Sequence, residues 1–382
     1  MIKNFFKPFS ISDSKARNTL SICLLLCLTW AFCRGFYMPS TWSLNYWLIS
    51  FFDGFGRRAL LGSLLYPFGA LRHHYHFVAA FQIAASVTLL AVALRRLSIW
   101  SRKNAATSIY IYIFLCGFFL SKYGAFLFGT TGYVDYPHYL LILLALLTPN
   151  DKLRILLATS TIWVHEAAAL TCLPLYFAVE VLYYRRYKAA FATLAASMIS
   201  FILIFTFLKT PSPDVIENYR SGFLAHLNYT PRSDYLEQVF AADNMKFYFR
   251  AATHYKYKML DYAVFCLLLA CMLVWLLCRS RALPWSGCAL AWLCIISPLS
   301  LGFFAYDINR WIFLTLIHIG VMFAIFQEHM NSRERIGFIA ASFAVFFSSY
   351  VPMFHERHYR EIHELLPFIK NLGKILASTP YR

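Results

Sequence analysis

The chain has 382 residues, of which 60% are hydrophobic, 19% aromatic and only 14% charged, where a soluble domain carries roughly 25% charged residues. A soluble fold has too little interior for that much apolar surface, so the composition excludes one and predicts an all-α bundle embedded in lipid. The formal charge of +17 does not point to nucleic acid, because the basic residues cluster in short loops between apolar stretches, where they act as orientation signals.

From the N-terminus, Lys3, Lys7, Lys15 and Arg17 precede an apolar run that ends near Cys33. No small-x-small cleavage pattern follows, so this run reads as a retained first helix and not as a cleaved signal. Apolar stretches of about bilayer length predict some eleven spans, at 18–37, 77–94, 105–121, 136–148, 155–165, 167–184, 189–208, 259–278, 283–304, 309–326 and 336–353. The fourth and fifth are short. The turn Pro149-Asn150-Asp151 between them predicts a pair that dips part-way into the membrane or is buried among other helices.

With the N-terminus inside, short basic loops fall on the cytoplasmic side at every second turn: Arg95, Arg96, Arg102 and Lys103, then Lys152 and Arg154, Arg185, Arg186 and Lys188, Arg279 and Arg281, and Arg333 and Arg335. That spacing follows the positive-inside rule and predicts a multi-pass protein of the cytoplasmic membrane. Residues 38–76 and 209–258 are then long outer loops. Within the first, Leu60 to Leu71 is apolar but too short to cross, which suits an interfacial or re-entrant helix. The ten cysteines show no CxxC spacing and read as small buried hydrophobes. With no internal repeat, residues 1–353 form one transmembrane domain, and residues 354–382 a basic, His-rich interfacial tail.

On this topology several ionisable residues reach one outer boundary: Asp53, Arg57 and Arg58 after the first span, Asp135 and His138 before the fourth, His165 and Glu166 after the fifth, and Asp307 and Arg310 before the tenth. Charges at an apolar boundary are costly and usually face a polar cavity or one another, so their convergence is a site expectation. In Phe51-Phe52-Asp53-Gly54-Phe55-Gly56-Arg57-Arg58 the paired guanidiniums suit a phosphate or diphosphate, or simply anchor a helix start to lipid headgroups. Asp53 could orient or deprotonate a hydroxyl, or hold a divalent ion; whether a metal takes part is open.

His165-Glu166 is not a zinc HExxH motif, because Ala169 stands where the second histidine would be. A general base, a proton relay, a hydrogen-bond donor to a sugar and a buried structural pair all remain readings of it. Asp307 and Arg310, three apart, form a site element or an ion pair at a helix start. Asp135 is a site residue or an N-terminal cap. His355-Glu356-Arg357-His358 reads as tail, and tyrosines of 209–258 could stack on sugar rings.

An acid in the first outer loop, further polar residues on outer loops, paired short helices and a large outer loop resemble the GT-C class of membrane glycosyltransferases. Gly-Phe-Gly-Arg-Arg, a later Asp before a span, His-Glu and Asp-x-x-Arg-Trp also look like bacterial membrane proteins of surface-polysaccharide clusters, O-antigen polymerases among them. The sequence departs from the GT-C pattern in having no Asp-Asp or Asp-Glu pair in its first outer loop. The resemblance implies transfer of a sugar or glycan from a polyprenyl-phosphate or polyprenyl-diphosphate carrier to a saccharide acceptor at the outer face of the membrane. Asp53 would be the base, with His165 and Glu166 as competitors, and Arg57, Arg58 and Arg310 would steady the leaving phosphate, supported by Asp135, His138 and Asp307. No GxxxxGK[ST] loop is present, consistent with an activated carrier as the energy source. A transporter or flippase of a lipid-linked saccharide and a membrane acyltransferase using His165 or His138 are the alternatives.

Overall fold

The structure is a computed structural model that describes residues 14–103, 105–208, 211–230, 244–303, 307–348 and 359–378. Every element among them is helical, as an apolar chain in lipid requires. In chain order the α-helices are α1 (Ser14–Gly35), α2 (Thr41–Asn45), α3 (Leu60–Leu65), α4 (Tyr75–Lys103), α5 (Ala105–Leu120), α6 (Lys122–Gly129), α7 (Asp135–Leu147), α8 (Asp151–Val164), α9 (Cys172–Ala178), α10 (Tyr187–Phe207), α11 (Pro213–Asn218), α12 (Asn244–Arg279), α13 (Trp285–Ser300), α14 (Ile308–Phe326), α15 (Ser332–Ser348), α16 (Ile362–Lys370) and α17 (Leu372–Ala377).

Six helical segments are long and apolar enough to cross a bilayer: Asn18–Gly35, Tyr75–Arg102, Glu166–Tyr183, Tyr187–Phe207, Tyr262–Arg279 and Ile308–His329. The pair Thr107–Leu120 and Lys122–Gly129, bent by 69°, makes a seventh if counted as one span. Among the described residues, length and composition thus support seven of the expected eleven. The other four expected spans are helices α7, α8, α13 and α15, with 13, 14, 16 and 17 described residues, which at about 1.5 Å per residue cover less than the roughly 30 Å hydrocarbon core; residues 349–353 of the last expected span lie outside the described residues. The stretch read as an outer loop from 209 to 258 is also shorter as a loop than expected, because α12 has begun by Asn244. The tail motif at 355–358 lies outside the described residues.

The chain divides into two compact units. One consists of Met1–Phe36, Val92–Gly129 and Ala252–Lys370, the other of Tyr37–Ala91, Thr130–Ala251 and Asn371–Arg382. In the first, α1 packs on α5 and α6, α13 on α14 and α15 on α5. Its centre is aromatic. Phe114 meets the rings of Phe323 and Phe346 at 5.6 and 5.4 Å, and Phe126 meets Phe313 at 5.2 Å, separations at which ring pairs attract beyond their burial.

In the second unit α8 lies between α7 and α10. Asn150 starts α8 by accepting from the Leu153 amide at 3.1 Å, the capping that the Pro149-Asn150-Asp151 turn foreshadows. Arg154 then closes the connection by donating to the Thr148 carbonyl at 2.7 Å. Ile142, Ala158, Ile162, Cys172, Tyr176 and Ile204 fill the space between these helices. A second buried cluster joins Leu48, Ile49, Phe55 and Leu61 of the segment 44–61 to Val164 and Tyr219. It is this cluster that fixes the backbone on which Asp53 and Arg58 stand.

Candidate functional site

Within Ser50–Arg58 the backbone is secured residue by residue. The Ser50 hydroxyl accepts from the Phe52 amide at 3.1 Å and opens a 3-10 turn over Phe51–Asp53. Gly54 closes that turn at φ 89, a left-handed conformation that glycine adopts without steric penalty. The Ser63 hydroxyl ties the turn to α3, accepting from the Phe51 amide at 2.9 Å and donating to the Ala59 carbonyl at 2.7 Å. Gly62 permits the close approach, since a Cβ there would stand 2.0 Å from the Ile49 carbonyl oxygen.

Asp53, thus placed, meets a partner that the sequence reading did not single out. Arg72 Nη1 donates to Oδ2 at 2.9 Å and Nη2 to Oδ1 at 3.1 Å, the two-point geometry of a guanidinium on a carboxylate. Both side chains are largely withdrawn from solvent. The guanidinium carbon lies 4.4 Å from the centre of the Tyr66 ring and 4.4 Å from that of Phe223, so two aromatic contacts fix the fork that holds the acid.

Tyr219 adds a phenol to this group. Burial, with the Asp53 carboxylate second, pushes it well above its ordinary range, so it remains an O–H donor, and among the described residues its buried hydroxyl has no hydrogen-bond partner. His73 follows Arg72 in the chain, its ring 4.7 Å from Phe223 and 5.9 Å from His226. Burial first, and the Arg72 charge second, lower its pKa. In sequence His73 and Arg72 are only basic residues beside the apolar run Leu60 to Leu71, and Tyr219 is only one of the tyrosines of 209–258.

A second assembly forms where α8 breaks. His165 ends α8 and begins a 3-10 turn over Glu166–Ala169. Arg58, at φ 56, donates from Nε to both Glu166 oxygens at 2.9 and 3.0 Å, and Nη2 joins Oε1. Arg57 is near enough to act on the same carboxylate. His165 Nδ1 accepts from the Ala167 amide at 3.0 Å; a neutral ring with that nitrogen as acceptor carries its proton on Nε2. The ring also lies 5.5 Å from Tyr46 and 6.4 Å, edge-on, from His138. Phe51 and Trp163 meet at 6.0 Å, packing the segment that bears Asp53 against the helix that delivers His165.

Asp135 and His138 share one face of α7, a turn apart, both buried. The capping role considered for Asp135 does not hold: Val134 is the N-cap, without a side-chain bond, and Asp135 is the first helical residue. Asp307 and Arg310 belong to the other unit. Asp307 precedes α14, Arg310 Nη1 lies 3.7 Å from its Oδ2, and the guanidinium sits 4.8 Å from the Trp311 ring centre. Among the described residues no three His, Cys, Asp or Glu side chains gather where they could hold a metal ion. Asp53 in particular meets a guanidinium where a divalent ion would stand, so these residues do not fit a metal centre and no step is assigned to one.

A family model described as Glycosyltransferase family 87 matches residues 60–301, well over half of the chain. The matched stretch contains Arg72, Asp135, His138, His165 and Glu166, and starts just after Asp53, Arg57 and Arg58. No curated protein and no solved structure matches the chain.

Proposed function

The chain belongs to glycosyltransferase family 87 and is a multi-pass membrane glycosyltransferase of the GT-C type, and from that premise we propose that it moves a sugar from a polyprenyl-phosphate or polyprenyl-diphosphate carrier to a saccharide acceptor at the outer face of the cytoplasmic membrane, in surface-polysaccharide synthesis. The observation that carries this reading is the carboxylate of Asp53 fixed by Arg72 on a loop at an apolar boundary. Family membership favours sugar transfer over the transporter and acyl-transfer alternatives.

In the proposed reaction an acceptor hydroxyl oxygen bonds to the anomeric carbon, the bond from that carbon to the carrier phosphate breaks, and the phosphate departs with the electron pair. The hydroxyl proton passes to Asp53. A carboxylate offers about four lone-pair sites, and the Arg72 fork uses two, which leaves the remaining pairs for the hydroxyl. Arg57 and Arg58 supply positive charge for the departing phosphate, a contribution that works best when the charges are already in position. Glu166 holds Arg58 there, and so serves as its positioning residue and not as the base. His165, with its proton on Nε2, is set to donate to a phosphate or sugar oxygen. Arg310, paired with Asp307 in the other unit, is not required by this reading.

The donor class is tested in proteoliposomes supplied with either a polyprenyl-phosphate-linked sugar or the corresponding nucleotide sugar, with a short saccharide acceptor. Transfer from the lipid-linked donor alone is expected. Transfer from the nucleotide sugar in the absence of carrier would overturn the proposal.

A further inference from the structure

The turn between α12 and α13 borders a cavity of about 670 Å³ whose walls include Trp275, Arg279, Arg281, Leu283, Pro284 and Trp285. That size lies within the range of small-ligand sites. Leu283 in its lining is buried, while the indoles of Trp275 and Trp285 are 55% and 85% exposed. Arg279 stacks 5.2 Å from the Trp275 ring centre and has Glu334 Oε1 3.8 Å from its Nε, yet its side chain remains 62% exposed.

Arg281 is carried to the rim by the end of α12. The Arg281 amide bonds the Cys278 carbonyl and the Ala282 amide the Leu277 carbonyl, each at 3.1 Å, and Arg281 takes φ 54, the helix-ending position that usually goes to glycine. Among the described residues Arg281 has no acidic partner. Two guanidiniums and one carboxylate therefore surround a space with two exposed indoles, which leaves the cavity net positive at one end and apolar at its sides.

We propose that this cavity binds an anionic phospholipid of the bilayer, with Arg279 and Arg281 on the phosphate and Trp275 and Trp285 against the glycerol backbone and the first methylenes of the acyl chains. Indoles belong at the headgroup level because one edge is polar and the rest apolar. A basic notch between membrane helices attracts acidic headgroups. Leaving such indoles exposed to water would be costly, and a zwitterionic lipid would give the two arginines no net charge to meet. A free phosphate would satisfy the arginines but not the indoles, so the bilayer lipid accounts for the whole lining.

The test is retention of lipid by the full-length protein, delipidated in detergent, re-exposed to micelles doped with phosphatidylglycerol or phosphatidylcholine and weighed by native mass spectrometry. Wild type should retain phosphatidylglycerol in preference to phosphatidylcholine. Arg279→Gln/Arg281→Gln should lower that preference by about thirtyfold, as loss of two basic contacts at a membrane surface implies. Trp285→Ala leaves the loop charges intact and its exposed ring supports no core, so it should weaken retention of both lipids while melting and topology stay unchanged. Equal retention of the two lipids by wild type, unaltered preference in the arginine variant, or displacement of phosphatidylglycerol by an equal concentration of inorganic phosphate would each overturn the proposal.

Discussion

Arg72 and Asp53 meet fork to fork, Nη1 at 2.9 Å from Oδ2 and Nη2 at 3.1 Å from Oδ1, with the guanidinium held between the rings of Tyr66 and Phe223. The consequence is an acid whose direction is set by its partner and whose partner is set by aromatic packing. A lysine keeps the charge but loses the planar two-point contact.

Arg72→Lys should therefore lower turnover by roughly tenfold or more while donor affinity stays near wild type, because misplacing a catalytic group acts on the reaction and not on binding. Arg72→Ala should be worse and should also lower melting. Saturation kinetics with lipid-linked donor, read beside a detergent melting curve, separates the two effects. Full turnover in Arg72→Ala would mean that Asp53 needs no holder.

The Arg58–Glu166 pair predicts strong coupling in stability. Both groups are largely buried, and removing one partner of a buried pair leaves a charge uncompensated at a cost of roughly 3–5 kcal/mol. Glu166→Gln and Arg58→Gln should each depress melting clearly, and the double variant should be less destabilised than the sum of the two. Additive effects would show that the pair is not a unit.

Gly62→Ala should fail to give folded protein. Its Cβ would stand 2.0 Å from the Ile49 carbonyl oxygen, a contact with backbone that no rotamer change relieves, and α3 could not stay on the segment that leads to Asp53. Size-exclusion profiles after expression at reduced temperature check this. A monodisperse, fully active Gly62→Ala variant would contradict the packing described for this segment.

His73 gives a pH prediction. Its folded-state pKa is lowered by burial and then by Arg72, against about 6.5 in an unfolded chain. The neutral ring thus stabilises the fold fully above that unfolded value, and the contribution is lost as pH falls through the lower folded value. Melting temperature should decline as the buffer moves from about pH 7 towards about pH 4, and the decline should be shallower in His73→Gln. Identical pH profiles would remove His73 from this account.

Much of the helical architecture was legible because the bilayer imposes a length and a composition that apolar runs display directly. The expected span number and the count of long apolar helices among the described residues differ where that signal is weakest. Apolar helices of 16 and 17 residues, α13 and α15, look in sequence like spans, and the bend after Leu120 hides the continuation through Lys122–Gly129 because no proline marks it. At the site, Asp53, Arg58 and Glu166 stood out as charges beside apolar runs. Their partners did not. Arg58 and Glu166 are 108 positions apart, and pairing across that distance is decided by how α3 packs on α8. Arg72 was not singled out, since nothing in spacing shows that the 3-10 turn over Tyr66–His73 returns it to Asp53.

Turnover of Asp53→Asn at saturating lipid-linked donor, with donor binding measured on the same preparation, tests the central claim most directly. The amide keeps the size of the side chain but cannot take the acceptor proton. The account predicts a folded variant that binds donor as wild type does and transfers sugar at least about a hundredfold more slowly, the scale of general-base loss. A folded Asp53→Asn variant with wild-type turnover would contradict it and move the search for the base to the His165–His138 side of the same unit.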